Sequence, residues 1–491
     1  MACTTILVGK KASYDGSTMI ARNDDGFFDE KKLIVVDPKK QPRKYKSKIA
    51  KLEIELPDNP LRYTATPSVN DSHGIWAANG INEANVAMTA TETLTSNPRV
   101  LGADPYVMPP MPKKPGEKDK KEVPGGLGEE DLVVVTLPYI HSAREGVLRL
   151  GSLLEKYGTY EPNGIGFADE NEVWWLETIG GHHWIARKVK DEEYVIMPNQ
   201  FGIDEFDLED ALGEGKEYLC SKDLKEFIED NHLDLNQDGE FNPRWIFGSH
   251  SDSDHVYNTP RAWFMGRYFN PNTYKWDGED ADFGPESDDI PWSMVPEHKI
   301  TVEDVKYILS SYYQGTPYNP FSKADNPKKG IYRPIGISRT AVMEILQIRP
   351  YVDDALKGVE WLCFGSNPFN AAAPLYANVT KFPKYFSGTT LDIDTLDSFF
   401  WGSRMIGVLA DANYGTCIQF IERYQAAVAN NGHRLLKEFD KKYLETKDLS
   451  ILEKANEEVA KMAKEQTLRT LKNVTMEASK VMKCGYSRAD N

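Results

Sequence analysis

The first twenty-five residues constrain the fold most, because they read as two strands joined by a turn. β-branched and apolar residues predict a strand over residues 4–8, and a second strand is predicted over residues 16–22, after the turn-forming Tyr14-Asp15-Gly16. A hairpin of these strands returns Arg22 and Asp25 to the start of the chain. It therefore places a cation and a carboxylate beside Cys3.

Cys3 stands at the start of the first of these strands. If Met1 and Ala2 are removed, Cys3 carries both a thiol and a free α-amine, with ordinary pKa values of about 8.5 and about 7.7–8.0, so the amine can take the thiol proton near neutral pH. The thiolate is the attacking species. The alternative is that Cys3 is a small buried hydrophobic residue and that Arg22 and Asp25 form a surface pair. Taken alone, these residues leave both interpretations open.

Strand and helix patterns alternate along the first two hundred residues or so. Between Lys32 and Leu94, turn residues separate short apolar or alternating runs, which predicts an antiparallel meander. Apolar residues at helical spacing follow over 143–154, and three more strands are predicted. Helices stacked on two sheets within one large domain are the expected arrangement. The predicted strands of the two regions are 33–36, 52–56, 61–66, 74–78 and 86–91, then 164–169, 172–178 and 183–189.

Two segments differ in character from this pattern. Residues 105–128, with a Lys/Pro-rich centre at 109–124, bury too little apolar surface to fold alone and are predicted to form a mobile insertion. Residues 426–491 are rich in Lys and Glu with apolar residues near helical spacing, which predicts a helical C-terminal extension to a catalytic domain over 3–425. These helices could pack on the core or form a homo-oligomer contact.

Charge and cysteine content exclude several classes of protein. The net charge of −17 argues against a nucleic-acid or anionic-membrane surface. The five cysteines are widely spaced and include no CxxC pair, so neither a disulfide framework nor a zinc site is indicated. The chain shows no signal-peptide pattern and no apolar run of about 18 residues, so a cytoplasmic location is expected.

The middle of the chain gives weaker signals. Residues 305–312 and, more loosely, 342–346 carry apolar residues at helical spacing and are interpreted as two core helices. Asp234-Leu235-Asn236-Gln237-Asp238-Gly239 matches the opening of a calcium loop, but Trp245 stands at the twelfth position, where a carboxylate belongs. A polar turn is preferred there, and no metal or cofactor is expected.

Several polar residues suit acyl transfer to a small peptide. Asn199 follows a predicted strand and offers an amide donor for a developing oxyanion. A dipeptide also needs a carboxylate for its ammonium end and a cation for its carboxylate end, roles open to Glu92, Glu177 and Arg261. Such residues are equally common as solvated or paired side chains.

Short motifs occur over most of the chain. They are Cys3-Thr4-Thr5-Ile6-Leu7-Val8-Gly9, Asp15-Gly16-Ser17-Thr18, Ala21-Arg22-Asn23-Asp24-Asp25, Thr89-Ala90-Thr91-Glu92-Thr93, Gly128-Glu129-Glu130-Asp131-Leu132, Ser142-Ala143-Arg144-Glu145-Gly146, Glu172-Val173-Trp174-Trp175-Leu176-Glu177, Met197-Pro198-Asn199-Gln200, Gly315-Thr316-Pro317-Tyr318, Arg333-Pro334-Ile335-Gly336 and Pro374-Leu375-Tyr376. Taken together, these motifs resemble the bacterial cysteine dipeptidases of the dipeptidase A type. That family is distantly similar to penicillin V acylase and bile salt hydrolase.

The resemblance implies an α+β fold, the four-layer αββα sandwich of two antiparallel sheets found in N-terminal-nucleophile hydrolases, with added C-terminal helices. It implies that Cys3, exposed by processing, attacks a peptide carbonyl and forms a thioester, while the α-amine shuttles the proton. The resemblance also implies that Arg22 and Asp25 orient and tune the nucleophile, that Asn199 is an oxyanion donor, and that Arg261 corresponds to the second active-site arginine of the acylases.

Two departures from the acylase pattern matter. The nucleophile is third in the chain, so removal of Met1 leaves Ala2 attached and a further cut is required, for which autocatalysis is one route. Thr91-Glu92 stands where the acylases carry another oxyanion residue, so Glu92 is assigned to the substrate amine. The alternatives are an amidase of N-acyl amides on the same fold and a non-enzymatic relative, against which the retained catalytic residues argue.

Overall fold

The computed structural model describes residues 3–26, 29–110, 123–237, 239–393 and 396–482. Its strands are β1 (Thr4–Val8), β2 (Thr18–Asp24), β3 (Ile34–Val36), β4 (Lys44–Lys46), β5 (Glu53–Glu55), β6 (Tyr63–Ala65), β7 (Asn79–Ile81), β8 (Ala87–Thr89), β9 (Glu92–Thr93), β10 (Asn163–Ala168), β11 (Val173–Thr178), β12 (Trp184–Val189), β13 (Tyr194–Met197), β14 (Tyr218–Cys220), β15 (Ser293–Met294), β16 (Val342–Ile348), β17 (Gly358–Phe364) and β18 (Ala373–Tyr376).

The α-helices are α1 (Pro98–Ala103), α2 (Glu129–Thr136), α3 (Ala143–Tyr157), α4 (Leu208–Leu212), α5 (Leu224–Asp230), α6 (Pro243–Phe247), α7 (Asp254–Tyr257), α8 (Thr259–Phe269), α9 (Val302–Leu309), α10 (Lys384–Ser387), α11 (Phe399–Ala412), α12 (Tyr414–Thr446) and α13 (Ser450–Lys480). Single 3₁₀ turns lie at Pro38–Lys40, Leu137–Tyr139, Asp354–Leu356 and Asn367–Phe369.

The first large sheet has the amino-terminal strand at its centre. Its order is β15-β13-β1-β2-β16-β17-β18. Strands β1 and β2 pair antiparallel, with Thr5 opposite Arg22, so the predicted hairpin forms. Strand β13 pairs with the other side of β1, placing Met197 opposite Thr5. The residues before β1, after β2 and after β13 therefore come to one end of the sheet, where Cys3 lies.

The second large sheet has the order β14-β12-β11-β10-β8-β7, and β9 pairs with β10. The three strands predicted after the first long helix are present as β10, β11 and β12. Each pairs antiparallel with the next, with Gly164 opposite Glu177 and Ile185 opposite that same residue. This sheet lies across from the first one and carries Glu92 on its short strand β9.

Apolar side chains fill the space between the two sheets and cover both outer faces. Leu7 and Ile20 of the first sheet share a buried core with Trp175 and Ile185 of the second. On the outer face of the second sheet, residues such as Trp174 pack with α2 and α3. The outer face of the first sheet packs against α8, α9 and α11 to α13 through side chains that include Ile6, Trp263, Ile308, Ile406, Val428 and Val459.

Helix, sheet, sheet and helix therefore follow one another as four layers. The predicted α+β class and αββα sandwich are confirmed. Successive side chains of β1 point to opposite faces of the sheet, so this short strand contributes to two hydrophobic cores. Leu7 faces the other sheet, whereas Ile6 and Val8 face the helices.

The segment from Lys32 to Leu94 is antiparallel, but the prediction of one meander is wrong. Strand β3 pairs with β6, β4 pairs with β5, and β7 and β8 join the second large sheet. Residues 74–78 contribute only an isolated bridge at Ala77, and the strand begins at Asn79. Frequent turn residues mark the strand ends, but they do not determine which strands pair.

The predicted helix over 342–346 is also wrong, because these residues begin the seven-residue strand β16. All of its residues are buried, since β16 lies between β2 and β17 with covered faces on both sides. A short apolar run buried on both faces lacks the alternation that distinguishes a strand from a helix. The companion helix predicted over 305–312 is present as α9, ending at Leu309.

The helices at the end of the chain form part of the outer layer. Helix α12 begins at Tyr414, so the domain boundary predicted at 425 falls within it. Helices α12 and α13 bury apolar residues against the first sheet. The two-part division of the chain stays a prediction. Residues 111–122 of the predicted insertion at 105–128 lie outside the described residues, as do the last nine residues of the C-terminal extension.

Within the described parts of the chain, no helix has both the length and the apolar character that crossing a bilayer requires.

Candidate active site

Cys3 is fully buried, and its thiol faces a guanidinium from the neighbouring strand. Arg22 Nη2 donates to Cys3 Sγ at 2.9 Å. The rest of the guanidinium is fixed by main-chain oxygens, since Nε donates to Thr91 O at 2.9 Å and Nη1 to Ala78 O at 3.3 Å. The hairpin register causes this contact, because it sets Arg22 opposite Thr5, two residues after Cys3. Arg22 therefore has one orientation, aimed at the thiol.

Carboxylates surround the same arginine. Glu129 Oε1, at the first residue of α2, accepts from Arg22 Nη2 at 3.2 Å. Asp24 Oδ1 lies 3.6 Å from that nitrogen, and Asp24 Oδ2 lies 2.8 Å from the buried ammonium of Lys31. One nitrogen of Arg22 thus joins the Cys3 thiol to two buried acids.

Arg261 reaches the other side of Cys3 from α8. Its Nη1 donates to the Cys3 carbonyl oxygen and to Thr4 Oγ1, the latter at 2.7 Å. Its Nη2 donates to Asn199 Oδ1 at 2.8 Å and to Asn258 Oδ1 at 2.6 Å. Because Arg261 is completely buried, these bonds fix the main chain of Cys3.

Asn199 and Glu92 continue this network. Asn199 Nδ2 donates to Glu92 Oε1 at 2.7 Å and to Thr93 O at 3.1 Å. The other carboxyl oxygen of Glu92 accepts from Thr5 Oγ1 at 2.7 Å. Thr5 lies on the same face of β1 as Cys3, since the two are separated by one residue. Both oxygens of Glu92 therefore have protein partners.

Burial sets the protonation of these groups. It raises the pKa of the Cys3 thiol to about 12, although the nearby Arg22 lowers it in part. Burial also raises the pKa of Glu92 to about 7, against the opposing effect of Arg261. The Arg261 guanidinium has its pKa lowered to about 10, first by burial and then by the nearby Arg333. The thiol is therefore protonated at neutral pH in this environment.

Asp25 lies on the opposite side of β2 from Arg22. Its Oδ1 accepts from Thr340 Oγ1 at 2.6 Å, and its Oδ2 accepts from Arg333 Nη2. Arg333 and Arg261 both contact the ring of Tyr257, with guanidinium-to-centroid distances of 5.1 Å and 5.3 Å. A series of contacts thus links Asp25 to the main chain of Cys3, through Arg333, the ring of Tyr257 and Arg261.

Glu177 lies on β11, between the sheets, beside the loop that follows Asn199. Its Oε1 accepts from Gly202 N at 2.7 Å, from Trp175 Nε1 at 3.0 Å and from Ile203 N at 3.4 Å. Burial raises its pKa to about 7. These contacts fix the loop that carries Asn199, and the substrate contact assigned to Glu177 stays a prediction.

The structure thus brings Cys3, Arg22, Asn199, Arg261 and Glu92 into one network, and it sets Asp25 and Glu177 around it. Sequence reasoning assigned no role to Asp24 or Glu129. The alternation of side chains along a strand could have identified Asp24, since positions 22 and 24 share a face. Nothing local places Glu129 next to Arg22, 107 positions earlier.

No group of three or more His, Cys, Asp and Glu side chains within the described residues is arranged to hold a metal ion. At the calcium-like sequence, Asp234 Oδ1 caps the Asn236 amide at 2.9 Å, which is the geometry of a polar turn, and Asp238 lies outside the described residues. A separate cavity of about 360 Å³ opens between α9 and α12, lined by Lys306, Trp361 and Gln425 among others.

A sequence model of peptidase family C69 matches residues 2–427. The chain belongs to peptidase family C69. A dipeptidase of Bifidobacterium longum is 56% identical to this C69 peptidase over 446 residues, covering 90% of this chain and 83% of that one. A probable dipeptidase A of Streptococcus pyogenes is 47% identical over the full length of both chains. Dipeptidase A of Lactobacillus helveticus is 42% identical and covers 99% of each chain.

Among solved structures, a mutant of the conjugated bile acid hydrolase from Clostridium perfringens covers 77% of this C69 peptidase and 92% of its own chain, with 12% identity and a TM-score of 0.29. The predicted resemblance to cysteine dipeptidases is confirmed by the family and by the full-length relatives. The predicted class of enzyme, a cysteine-type dipeptidase, is confirmed with it.

Proposed function

We propose that this C69 peptidase hydrolyses dipeptides with Cys3 as its nucleophile, through a thioester acyl-enzyme. The observation that carries the proposal is the double attachment of Cys3: Arg22 donates to its sulfur at 2.9 Å, and Arg261 donates to its carbonyl oxygen. A structural cysteine in an apolar core needs neither contact. Instead, the buried Arg22 provides positive charge where a thiolate develops, and the buried Arg261 fixes both the main chain of Cys3 and the side chain of Asn199.

Because the pKa of the Cys3 thiol is raised, a base must take its proton before the sulfur can attack. Burial holds the pKa of Cys3 near 12, so a thiolate is not formed in advance. Once Met1 and Ala2 are removed, the α-amine of Cys3, with an ordinary pKa of about 7.7–8.0, is the base bonded to the same residue. Arg22 stabilises the charge on sulfur while the proton moves to the amine.

The reaction then follows in two steps. Sulfur attacks the carbonyl carbon of the dipeptide, and the protonated α-amine gives its proton to the departing amino group of the second residue. A thioester to the first residue remains. Water, deprotonated by the same amine, attacks the thioester, releases the first residue as a carboxylic acid and returns the thiol.

We assign Asn199 as the hydrogen-bond donor to the oxyanion, and we assign Arg261 as the residue that holds the Asn199 side chain in place. Asn199 Nδ2 donates its hydrogen bonds to Glu92 and Thr93 in this structure. One of these hydrogen bonds must break before Asn199 can donate to the oxyanion. We assign Asp25 to positioning, through Arg333 and Tyr257. The engaged oxygens of Glu92 favour a role in holding Asn199, and its assignment to the substrate amine stays a prediction.

An amidase of N-acyl amides is the second candidate, because the same nucleophile serves both reactions. An N-acyl amide has no ammonium group, whereas the buried carboxyl groups of Asp24, Glu129 and Glu92 act electrostatically on Cys3 from nearby. The charged surroundings therefore favour a substrate with a cationic end.

A cytoplasmic location, small peptides as substrates, no nucleic-acid or membrane partner, and an oligomeric contact through the terminal helices are also part of this proposal. The wide spacing of the cysteines in the sequence, with no CxxC pair, supports the location. Native mass spectrometry tests the oligomer.

Cys3→Ala tests the mechanism. We expect loss of dipeptide hydrolysis, with Cys363→Ala, a buried cysteine on β17, as the matched control that keeps activity. Intact mass gives the second readout, since the active chain must begin at Cys3. Undiminished hydrolysis by Cys3→Ala, or full activity in a chain that still begins at Met1 or Ala2, contradicts the proposal.

A further inference from the structure

The cavity between α9 and α12 lies on the outer face of the first sheet. Its lining includes Trp361 of β17, whose side chain belongs to the core between this sheet and the helices. Cys3 is on the opposite face of the sheet, because it shares the alternation of Leu7, which faces the second sheet. The first sheet therefore separates this cavity from the nucleophile.

The cavity has the size and the lining of a small-molecule site. Its volume of about 360 Å³ falls within the range of about 300–1,000 Å³ that is typical of such sites. Apolar side chains supply much of its wall, and they include Val302, Trp361, Pro368, Ala372 and Ile418. Sites of this kind combine an apolar wall with a few polar groups that orient the ligand. A ligand with an apolar chain or ring and one polar end suits this lining.

The amide side chains that line the cavity already have partners within the protein. Gln425 Nε2 donates to Pro368 O at 3.0 Å and to Asn370 O at 3.2 Å. Gln314 Oε1 accepts from the main-chain amide of Tyr312 at 2.9 Å. Recognition of the polar end of a ligand therefore depends mainly on the charged side chains of the cavity.

Lys306, on α9, is the one cation among the described residues that line the cavity. Its ammonium donates to Asn367 O at 3.2 Å, and it forms no ion pair with a carboxylate in the described parts of the chain. An ammonium group has three hydrogens to donate, so one neutral oxygen does not satisfy it. Burial lowers the pKa of Lys306 to about 8, and the charged form still predominates at pH 7. A desolvated charge of this kind favours an anionic partner.

Two carboxylates also line the cavity, and both belong to exposed residues. Glu303 pairs with His433 at 2.6 Å, and the Glu303 side chain is 48% exposed. Glu422 is exposed on α12. Water and salt screen exposed charges much more than desolvated ones. The charge of Lys306 is therefore the stronger determinant of what binds inside the cavity.

We infer that this cavity binds a small carboxylic acid with an apolar body, whose carboxylate pairs with Lys306 and whose chain or ring packs against Trp361 and Ile418. The carboxylate supplies the acceptor that the ammonium lacks. The apolar body removes its own surface and that of the cavity wall from water. The site is independent of the reaction at Cys3.

Octanoate is the probe, with octanamide as a neutral analogue of the same length and octylamine as a cationic one. Isothermal titration calorimetry at pH 7 is expected to give a dissociation constant below about 1 mM for octanoate. Octanamide is expected to bind about 10- to 100-fold more weakly, because it lacks the charged acceptor. The affinity for octanoate is expected to fall as the pH rises above 8, because Lys306 then loses its proton.

Lys306→Met removes the charge and keeps an unbranched side chain. Its affinity for octanoate is expected to fall by about 10- to 100-fold, to that of octanamide. The matched control is Lys437→Met, which changes an exposed lysine of α12 outside the cavity lining and is expected to keep the affinity. Both variants are expected to hydrolyse alanylalanine like the wild type, and this activity shows that they are folded.

The inference is overturned if the wild type does not bind octanoate, or if it binds octanoate and octanamide equally. Unchanged octanoate binding in Lys306→Met overturns it as well. Tighter binding of octylamine assigns recognition to Glu303 and Glu422 instead. Octanoate that competes with alanylalanine binds at Cys3 and not in this cavity. If Lys306→Met does not fold, the order of the three probes and the pH dependence of octanoate binding in the wild type decide the question.

Discussion

The carboxyl group of Glu92 holds the amide of Asn199 at 2.7 Å, across the gap between the two sheets. The second oxygen of Glu92 accepts from Thr5, so this one side chain joins the nucleophile strand to the loop after β13. The site is therefore assembled from both sheets, and its geometry depends on their packing.

Replacing Glu92 by Gln is expected to preserve this arrangement and to change its pH dependence. A Gln oxygen can accept from Asn199 while its amide donates to the Thr5 hydroxyl, which can rotate. Because the pKa of Glu92 is raised to about 7, wild-type kcat is expected to change across pH 6–8, and the variant is expected to lose that component of the profile. The pH–rate profile measures this, and an identical profile shows that Glu92 does not titrate during turnover.

Glu177→Gln is expected to make stability less dependent on pH. Burial raises the folded-state pKa of Glu177 to about 7 from 4.5. Below the lower value both states are protonated, and the stabilising contribution is lost as pH rises from there through 7, because only the unfolded chain ionises early. The loss is on the order of 3 kcal/mol for such a shift.

Thermal midpoints between pH 4.5 and 8 test this expectation, with the exposed Glu465→Gln as control. If the wild type and Glu177→Gln lose stability in parallel over this range, Glu177 is ionised at the same pH in both states.

Removing the guanidinium of Arg22 is expected to destabilise the fold as well as to stop catalysis. Arg22→Met leaves Glu129 and Asp24 without their shared cation, a change that costs about 3–5 kcal/mol for a buried pair. Urea denaturation measures it, with Arg434→Met as control because that side chain is 60% exposed. Equal stability of the two variants would contradict the role of Arg22 in charge balance.

Asn199→Ala is expected to lower kcat by about 10²–10³-fold with a smaller change in KM, as for loss of an oxyanion donor. Gln200→Ala, at the next position, serves as the control. An effect confined to KM assigns Asn199 to substrate binding instead.

The Asp25→Asn variant distinguishes a role of Asp25 in positioning Arg261 from a role in stabilising the fold. The Arg333 contact weakens, and Arg261 is expected to shift on the other side of Tyr257, so kcat falls while the KM for dipeptides changes little. Thr340→Val removes the other hydrogen bond of Asp25 and leaves Arg333 in place. A loss of stability in Asp25→Asn with normal kcat shows a purely structural role.

The sequence predicted the local parts of the site well. The pairing of Cys3 with Arg22 depends only on a hairpin of adjacent strands, whose turn and β-branched residues lie within twenty-five positions. Asn199 could be placed because it follows a clear strand. Each of these depends on the chain a short distance away, where propensity and alternation are informative.

The features that the sequence did not predict depend on tertiary packing. Glu129 meets Arg22 because α2 covers the end of the sheets, and no local pattern encodes that contact. The role of Asp25 at the nucleophile stays a prediction, and Asp24, the last residue of β2, shares the face of Arg22 and lies beside it. The helix predicted over 342–346 is instead the first part of strand β16, because burial on both faces removes the alternation that identifies a strand.

The central position of β1 has a consequence for the order of events during synthesis. One neighbour of β1, the strand β13, ends almost two hundred residues later, and Arg261 follows later still. A nascent chain on the ribosome carries Cys3 and Arg22 long before Asn199 and Arg261 have been made. The contact between Arg261 and Cys3 can therefore form only after at least 261 of the 491 residues have been synthesised.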